Sequence, residues 1–130
     1  MSPTTQCGLG RAEGRQRKME VFVAAIDALL LLDAPDDPDV ADALVSLRVT
    51  AGIAAADVIC CARLGRHAIG SDHHDAVSLL KQVDRSLSNH LRRLLEMKPK
   101  AQYGSFAVSQ RELTTSARAA DALVAAAREA

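Results

Sequence analysis

Apolar residues recur every three or four positions along most of the chain, a spacing typical of amphipathic helices. The first apolar stripe contains Phe22, Ile26 and Leu29, and it predicts a helix over residues 16–32. The segment "DAPDDPD" follows and ends that helix, because proline cannot continue the helical hydrogen-bond ladder. No segment alternates apolar and polar residues, so the pattern predicts no β-strand.

A second helix is predicted from the N-cap Asp37 to a C-cap at Gly65, with Pro38 in the first helical position. Its middle, "TAGIAAADVICCA", is rich in small apolar residues that let another helix approach closely. This composition fits two positions for the helix, the centre of a bundle or a helix–helix dimer interface.

The third apolar seam covers residues 76–94, and its helix begins at a cap formed by Ser71 or Asp72. The poor helix formers in "DRSLSNH" predict a kink or break near residues 85–88. Pro99 is expected to end this helix.

The last helix has the clearest start in the chain. Ser109 followed three residues later by Glu112 predicts a capping box, and Val108 and Leu113 are spaced for a hydrophobic staple. A buried stripe of alanine, leucine and valine continues from there almost to the end of the chain.

Together these segments predict an all-α fold, a four- to five-helix antiparallel up-and-down bundle, because short loops join antiparallel neighbours. The bundle is expected to be a single domain over residues 15–130. Residues 1–14 contain three glycines, a proline and no periodicity, so we expect a flexible leader there.

Composition narrows the function classes. The 16 basic residues equal the 16 acidic residues in number, and this zero formal charge argues against a surface dedicated to nucleic acid. Aromatic residues make up only 2% of the chain, which removes the usual platform for stacking single-stranded bases. No secretory segment and no apolar run long enough to span a bilayer is evident, so we expect no membrane association.

The three cysteines are Cys7, Cys60 and Cys61. An odd number with an adjacent pair is not a disulfide framework, so the sequence predicts a reduced, cytoplasmic protein. Cys60 and Cys61 lie in an apolar helix, where thiolates are disfavoured, and we expect no nucleophilic cysteine.

The stretch "DHHD" contains two imidazoles and two carboxylates that suit a transition metal. Adjacent His73 and His74 diverge on a helix, however, and neither has a ligand-type residue one turn later. A helix start is the better interpretation, so we predict no metal and no cofactor. In "KPKAQYG", Lys98, Lys100 and Tyr103 are read as a turn packed against the bundle rather than as an anion site.

The order of several blocks resembles the HEPN family of small helical domains. The blocks are "AAADVICCARLG", "DHHDAVSLL", "LRRLLEMKPKAQYG", "VSQREL" and "ADALVAAARE", and together they cover roughly residues 37–129. The resemblance implies a four-helix domain that dimerises and often pairs with a small nucleotidyltransferase in toxin–antitoxin or defence systems. It also implies that active members are metal-independent endoribonucleases, which use an arginine and a histidine separated by four to six intervening residues.

Arg85 and His90 in "RSLSNH" match that spacing, but the family motif is expected at the junction of the last two helices, where this chain has no histidine. The sequence therefore favours a non-catalytic interaction module that forms a homodimer, pairs with a nucleotidyltransferase-like partner, or both. The first alternative is an endoribonuclease toxin that acts on RNA through Arg85 and His90. The second is a purely structural bundle with a small ligand bound between its helices. We expect the dimer face to include the second helix.

Overall fold

The computed structural model describes residues 3–32, 37–70 and 72–130. In these ranges the chain forms five helices and a small two-stranded sheet, which confirms the predicted all-α bundle. In chain order the elements are β1 (Thr4–Gln6), α1 (Gly8–Leu30), α2 (Pro38–Leu64), β2 (Arg66–Ala68), α3 (His73–Lys81), α4 (Arg85–Tyr103) and α5 (Gln110–Glu129).

Helix α2 is the central element of the bundle and packs against α1, α3, α4 and α5. The small residues in its middle, Ala51, Ala54, Ala55 and Ala56, are covered by the chain itself, and Ala55 has no exposed surface. At Gly52 an added Cβ would collide with the Leu94 side chain, so the absence of a side chain lets α4 approach closely. The prediction that the dimer face includes this helix was therefore wrong, because its apolar middle is already buried within one chain.

By length and composition, Pro38–Leu64 is the only helix in the described ranges apolar enough to cross a membrane, which corrects the expectation that no such run exists. However, 78% of its most apolar window is buried inside the bundle, as in the core helix of a soluble protein. The largest fully buried side chains around it include Leu80, Leu91, Leu94 and Leu123.

The N-terminal segment differs from the predicted flexible leader. Strand β1 pairs antiparallel with β2, with Thr5 opposite His67, and α1 already begins at Gly8. Cys7, between strand and helix, is buried. The expectations of a leader over residues 1–14 and of no strand were therefore wrong for the described residues, because this pairing joins segments about sixty positions apart and leaves no local pattern.

The ends of α2 agree with the sequence. The Asp37 carboxylate accepts a hydrogen bond from the Asp39 amide at 2.8 Å, and Pro38 takes the first helical position. Gly65 ends the helix at φ 74°, in the left-handed region that glycine enters without steric cost. Helix α1 ends at Leu30, two residues earlier than predicted, and residues 33–36 of the "DAPDDPD" segment lie outside the described residues.

The predicted third helix is divided in two. Asp72 caps α3 by accepting from the His74 amide at 2.9 Å, while the alternative cap, Ser71, lies outside the described residues. The break falls at residues 82–84, slightly before its predicted place, because Asp84 caps α4. Pro99 does not end α4 as expected but lies inside it, and the helix continues to Tyr103.

The capping box at the start of α5 is confirmed. The Ser109 hydroxyl accepts from the Glu112 amide at 3.1 Å, and the Glu112 carboxylate accepts from the Ser109 amide at 2.9 Å. Val108, at the staple position, is buried. Lys100 of α4 also forms an ion pair with Glu112 of α5 at 2.7 Å, and this pair joins the two ends of the turn between the helices.

We expect Ser109→Ala to lower the free energy of unfolding by about 1 kcal/mol, because the variant leaves the Glu112 amide without its acceptor. Urea denaturation of the two proteins measures this difference. Ser86→Ala is the matched control, since Ser86 is an exposed helical serine whose side chain caps no helix end in the described residues. Equal stability of the Ser109 variant and the parent would show that the cap contributes nothing.

Candidate functional site

One end of the bundle exposes a group of large apolar side chains. Helix α1 ends there and α2 begins there, and the Val108 amide in the α4–α5 turn donates to Asp42 of α2 at 2.9 Å. The turn between α4 and α5 therefore lies at the same end as the α1 terminus. The exposed side chains, which we call the apolar end, are Leu30, Leu31, Leu32, Tyr103 and Phe106.

The apolar end is unusual in how much of each side chain meets solvent. Leu31 is 83% exposed and Phe106 is 81% exposed. Tyr103, expected from the sequence to pack against the bundle, is 79% exposed instead. Large apolar side chains exposed at one end of a bundle favour an interaction site there, because covering them releases their hydration water.

The backbone that carries Tyr103 and Phe106 is well fixed. Lys100 and the amide of Ser109 both bond to the Glu112 carboxylate, and these bonds lower the pKa of Glu112 below its usual value. The carboxylate is thus charged at neutral pH and joins the end of α4 to the start of α5. The exposed rings of Tyr103 and Phe106 therefore project from a turn whose two ends are joined through Glu112.

Arg85 and His90, the residues of the possible ribonuclease motif, both lie on α4. Arg85 is exposed in the first turn and His90 is half-buried. Five helical steps place two side chains about 140° apart around the axis, so the pair does not converge on one point within a chain. The structure does not bring these two residues together.

His73 and His74 occupy the first turn of α3, as the helix-start interpretation predicts. The Lys98 ammonium lies 3.1 Å from His73 Nε2. Burial lowers the pKa of His73, and the charge of Lys98 lowers it further, so the imidazole is neutral near pH 7 and accepts that bond. Within residues 3–32, 37–70 and 72–130, no three histidine, cysteine, aspartate or glutamate side chains gather as a metal site would require.

A shallow groove of about 420 Å³ runs between these histidines and α4, with Val77 and Leu95 among its apolar walls. Arg92 and Glu96 form an ion pair with each other at 3.1 Å along its side. Asp72 also lines the groove, and its carboxylate accepts from the His74 amide at 2.9 Å.

Sequence reasoning missed a buried charge cluster beside the N-terminal strand. Asp57 of α2 lies 2.8 Å from Arg15 of α1 and 3.7 Å from His67 of β2. Burial raises the pKa of Asp57, and the positive charge of Arg15 opposes that shift. A carboxylate inside the apolar run "AAADVICC" requires a partner when buried, which is the sequence feature that could have indicated the cluster.

The cysteines also differ from the prediction. Cys7 and Cys61 form a disulfide with their Cα atoms 5.6 Å apart, so the expectation of a fully reduced protein without disulfides was wrong. Cys60 is free and buried, and burial together with the Asp57 charge raises its thiol pKa to about 12. Cys60 is thus a poor nucleophile, as the sequence indicated.

The fold and these features define a small all-α bundle with one exposed apolar end. In comparisons with known proteins, no family model, curated protein or solved structure matches this chain. The HEPN resemblance therefore stays a prediction from the sequence.

Proposed function

We propose that this protein is a non-catalytic, HEPN-like helical interaction module that forms a homodimer through its apolar end. The observation that supports the proposal most is the exposure of Leu31, Tyr103 and Phe106 at one end of the bundle. The apolar middle of α2, by contrast, is already buried within the chain. Cytoplasmic localisation is part of the same proposal, although the Cys7–Cys61 bond is of a kind more typical of oxidising compartments.

A second copy of the chain is the partner that the apolar end suits best. The exposed residues there are three leucines and two aromatic residues, and two such surfaces complement each other when related by a twofold axis. A stable interface of about 800 Å² per partner would use about a tenth of the 7430 Å² accessible surface. Pairing with a nucleotidyltransferase-like protein is the second part of the proposal and rests on the HEPN resemblance alone.

The endoribonuclease alternative has less support. Its two residues, Arg85 and His90, point in different directions on α4, and action on RNA would need a dimer that pairs each with the other copy. The apolar end lies at the opposite end of α4 from Arg85, so dimerisation there keeps Arg85 away from the interface.

Light scattering tests the homodimer. At micromolar concentration we expect a mass of about twice the 13.8 kDa of the chain. Phe106→Glu and Leu31→Glu should each give the monomer mass with an unchanged helical circular dichroism spectrum, because both side chains are exposed and their replacement leaves the core intact.

Leu9→Glu is the matched control, since Leu9 is also 83% exposed but lies in the first turn of α1, at the other end of the bundle. This variant should remain a dimer. A monomer mass for the parent at every concentration, or dissociation by Leu9→Glu alone, would contradict the proposed interface.

A further inference from the structure

A cleft between α1 and α5 contains a buried cation that no carboxylate neutralises directly. Arg48 of α2 forms the floor of this cleft and is only 7% exposed. One guanidinium nitrogen donates to the Leu113 carbonyl at 3.3 Å and to the Ser116 hydroxyl at 3.2 Å. Within the described ranges, no Asp or Glu oxygen lies within 4.0 Å of this guanidinium.

A guanidinium in such a position is costly, because its charge has lost much of its hydration and meets only neutral acceptors, the Leu113 carbonyl and the Ser116 hydroxyl. Burial accordingly lowers the pKa of Arg48, and only the more distant Asp121 opposes the shift. Arginine nevertheless stays protonated in proteins, so the cleft retains a positive charge with unused N–H donors. These donors are suited to a carboxylate supplied from outside the chain.

The cleft is large enough for a small molecule and has apolar walls. Its volume is about 360 Å³, within the range of ligand pockets. Val23, Ile26 and Leu30 of α1 line one side, and Val124 of α5 lines the other. A ligand that fills it therefore needs an apolar body as well as a group for Arg48.

Two further carboxylates line the cleft, Asp27 from α1 and Asp121 from α5. Neither forms an ion pair or side-chain hydrogen bond within the part of the chain that the structure describes. Arg128, which also lines the cleft, is already held by Glu20 through two bonds of 2.9 and 3.0 Å. Asp121 acts on Arg48, and Asp27 on Arg128, only through their charge over a longer distance. A simple anion would therefore meet these two carboxylates, and a simple cation would meet Arg48.

We propose that this cleft binds a small zwitterion with an apolar side chain, of which an aliphatic α-amino acid is the simplest example. The carboxylate of the ligand pairs with Arg48, its ammonium group pairs with Asp121, the carboxylate whose charge acts on Arg48, and its side chain packs against Val23 and Val124. The cleft borders the apolar end at Leu30, but its charged residues Arg48 and Asp121 are not part of that surface, so the ligand site does not depend on the proposed homodimer.

Isothermal titration calorimetry with L-leucine tests this site in the full chain. We expect L-leucine to bind, and we expect 4-methylpentanoate, which lacks the ammonium group, and isopentylamine, which lacks the carboxylate, to bind at least about tenfold more weakly. Asp121 is exposed, so the Asp121→Asn variant keeps the core intact and should fold. Its affinity for L-leucine should fall about tenfold, while its affinity for 4-methylpentanoate should not be reduced.

Glu129→Gln is the matched control, because it removes an exposed carboxylate of α5 that does not line the cleft. It should bind L-leucine like the parent. Arg48→Gln tests the guanidinium at the floor of the cleft. If this variant does not fold, the comparison of L-leucine with isopentylamine in the parent still measures what the carboxylate of the ligand contributes to binding. No binding of L-leucine at concentrations up to about 20 mM, or equal binding of either analogue, would overturn the proposal.

Discussion

Replacing Ala55 by glutamate should unfold the protein. Ala55 lies in the middle of α2 with no exposed surface, and four other helices pack around that element. The larger side chain would overpack the core, and its carboxylate would be buried without a partner. Together these effects should cost at least about 4 kcal/mol, which is a large part of the stability of a small domain.

Ala62→Glu is the control for this experiment, because Ala62 lies on the same helix but is exposed. Circular dichroism at increasing urea concentration should show a near-parental transition for Ala62→Glu and no folded baseline for Ala55→Glu. A folded, monomeric Ala55→Glu would mean that this part of α2 faces a partner and not the core, as the dimer interface expected from the sequence requires.

Reducing the Cys7–Cys61 disulfide should lower the free energy of unfolding by about 4 kcal/mol, the chain-entropy value for a closed loop of this size. The bond spans a sequence separation of 54 residues and joins the start of α1 to the last turn of α2. The Cys7 amide also donates to the Gly65 carbonyl at 3.0 Å, so reduction leaves β1 and β2 attached by hydrogen bonds alone.

Urea denaturation with and without a thiol reductant measures this effect. The double variant Cys7→Ser, Cys61→Ser should be as unstable as the reduced parent and insensitive to reductant. Cys60→Ala is the control that keeps the bond, and it should respond to reductant as the parent does. Three reactive thiols per chain in the unfolded, non-reduced protein would show that the disulfide does not form.

The local features of the helices could be predicted because each depends on residues close in sequence. Asp37, Pro38 and Gly65 bound α2 as expected, and the Ser109–Glu112 capping box starts α5. Such caps are made by a side chain and an amide two or three positions apart, so they can be predicted without knowledge of the rest of the fold. The prediction that Pro99 ends α4 was wrong, because a proline interrupts a helix only where packing does not hold the surrounding residues helical. In α4 the buried side chains of Leu91, Leu94 and Met97 provide that packing.

The candidate sites could be predicted much less well. The cleft over Arg48 combines residues of α1, α2 and α5, and the ion pair of half-buried Arg15 with buried Asp57 joins positions 42 residues apart in sequence. In the sequence, these charged residues look like the solvent-exposed positions of amphipathic helices. Only their burial, which depends on how the helices pack, distinguishes them from solvated surface charges.

The sequence by itself determined that this chain is an all-α bundle and where α2 and α5 begin, because periodicity and capping are local properties. The tertiary structure decided that α2 is central and covered, that Cys7 meets Cys61, and that the apolar side chains of Leu31 and Phe106 remain exposed at one end. The physical reason is that burial and long-range pairing depend on which helix faces are brought together, and an apolar stripe does not specify its partner.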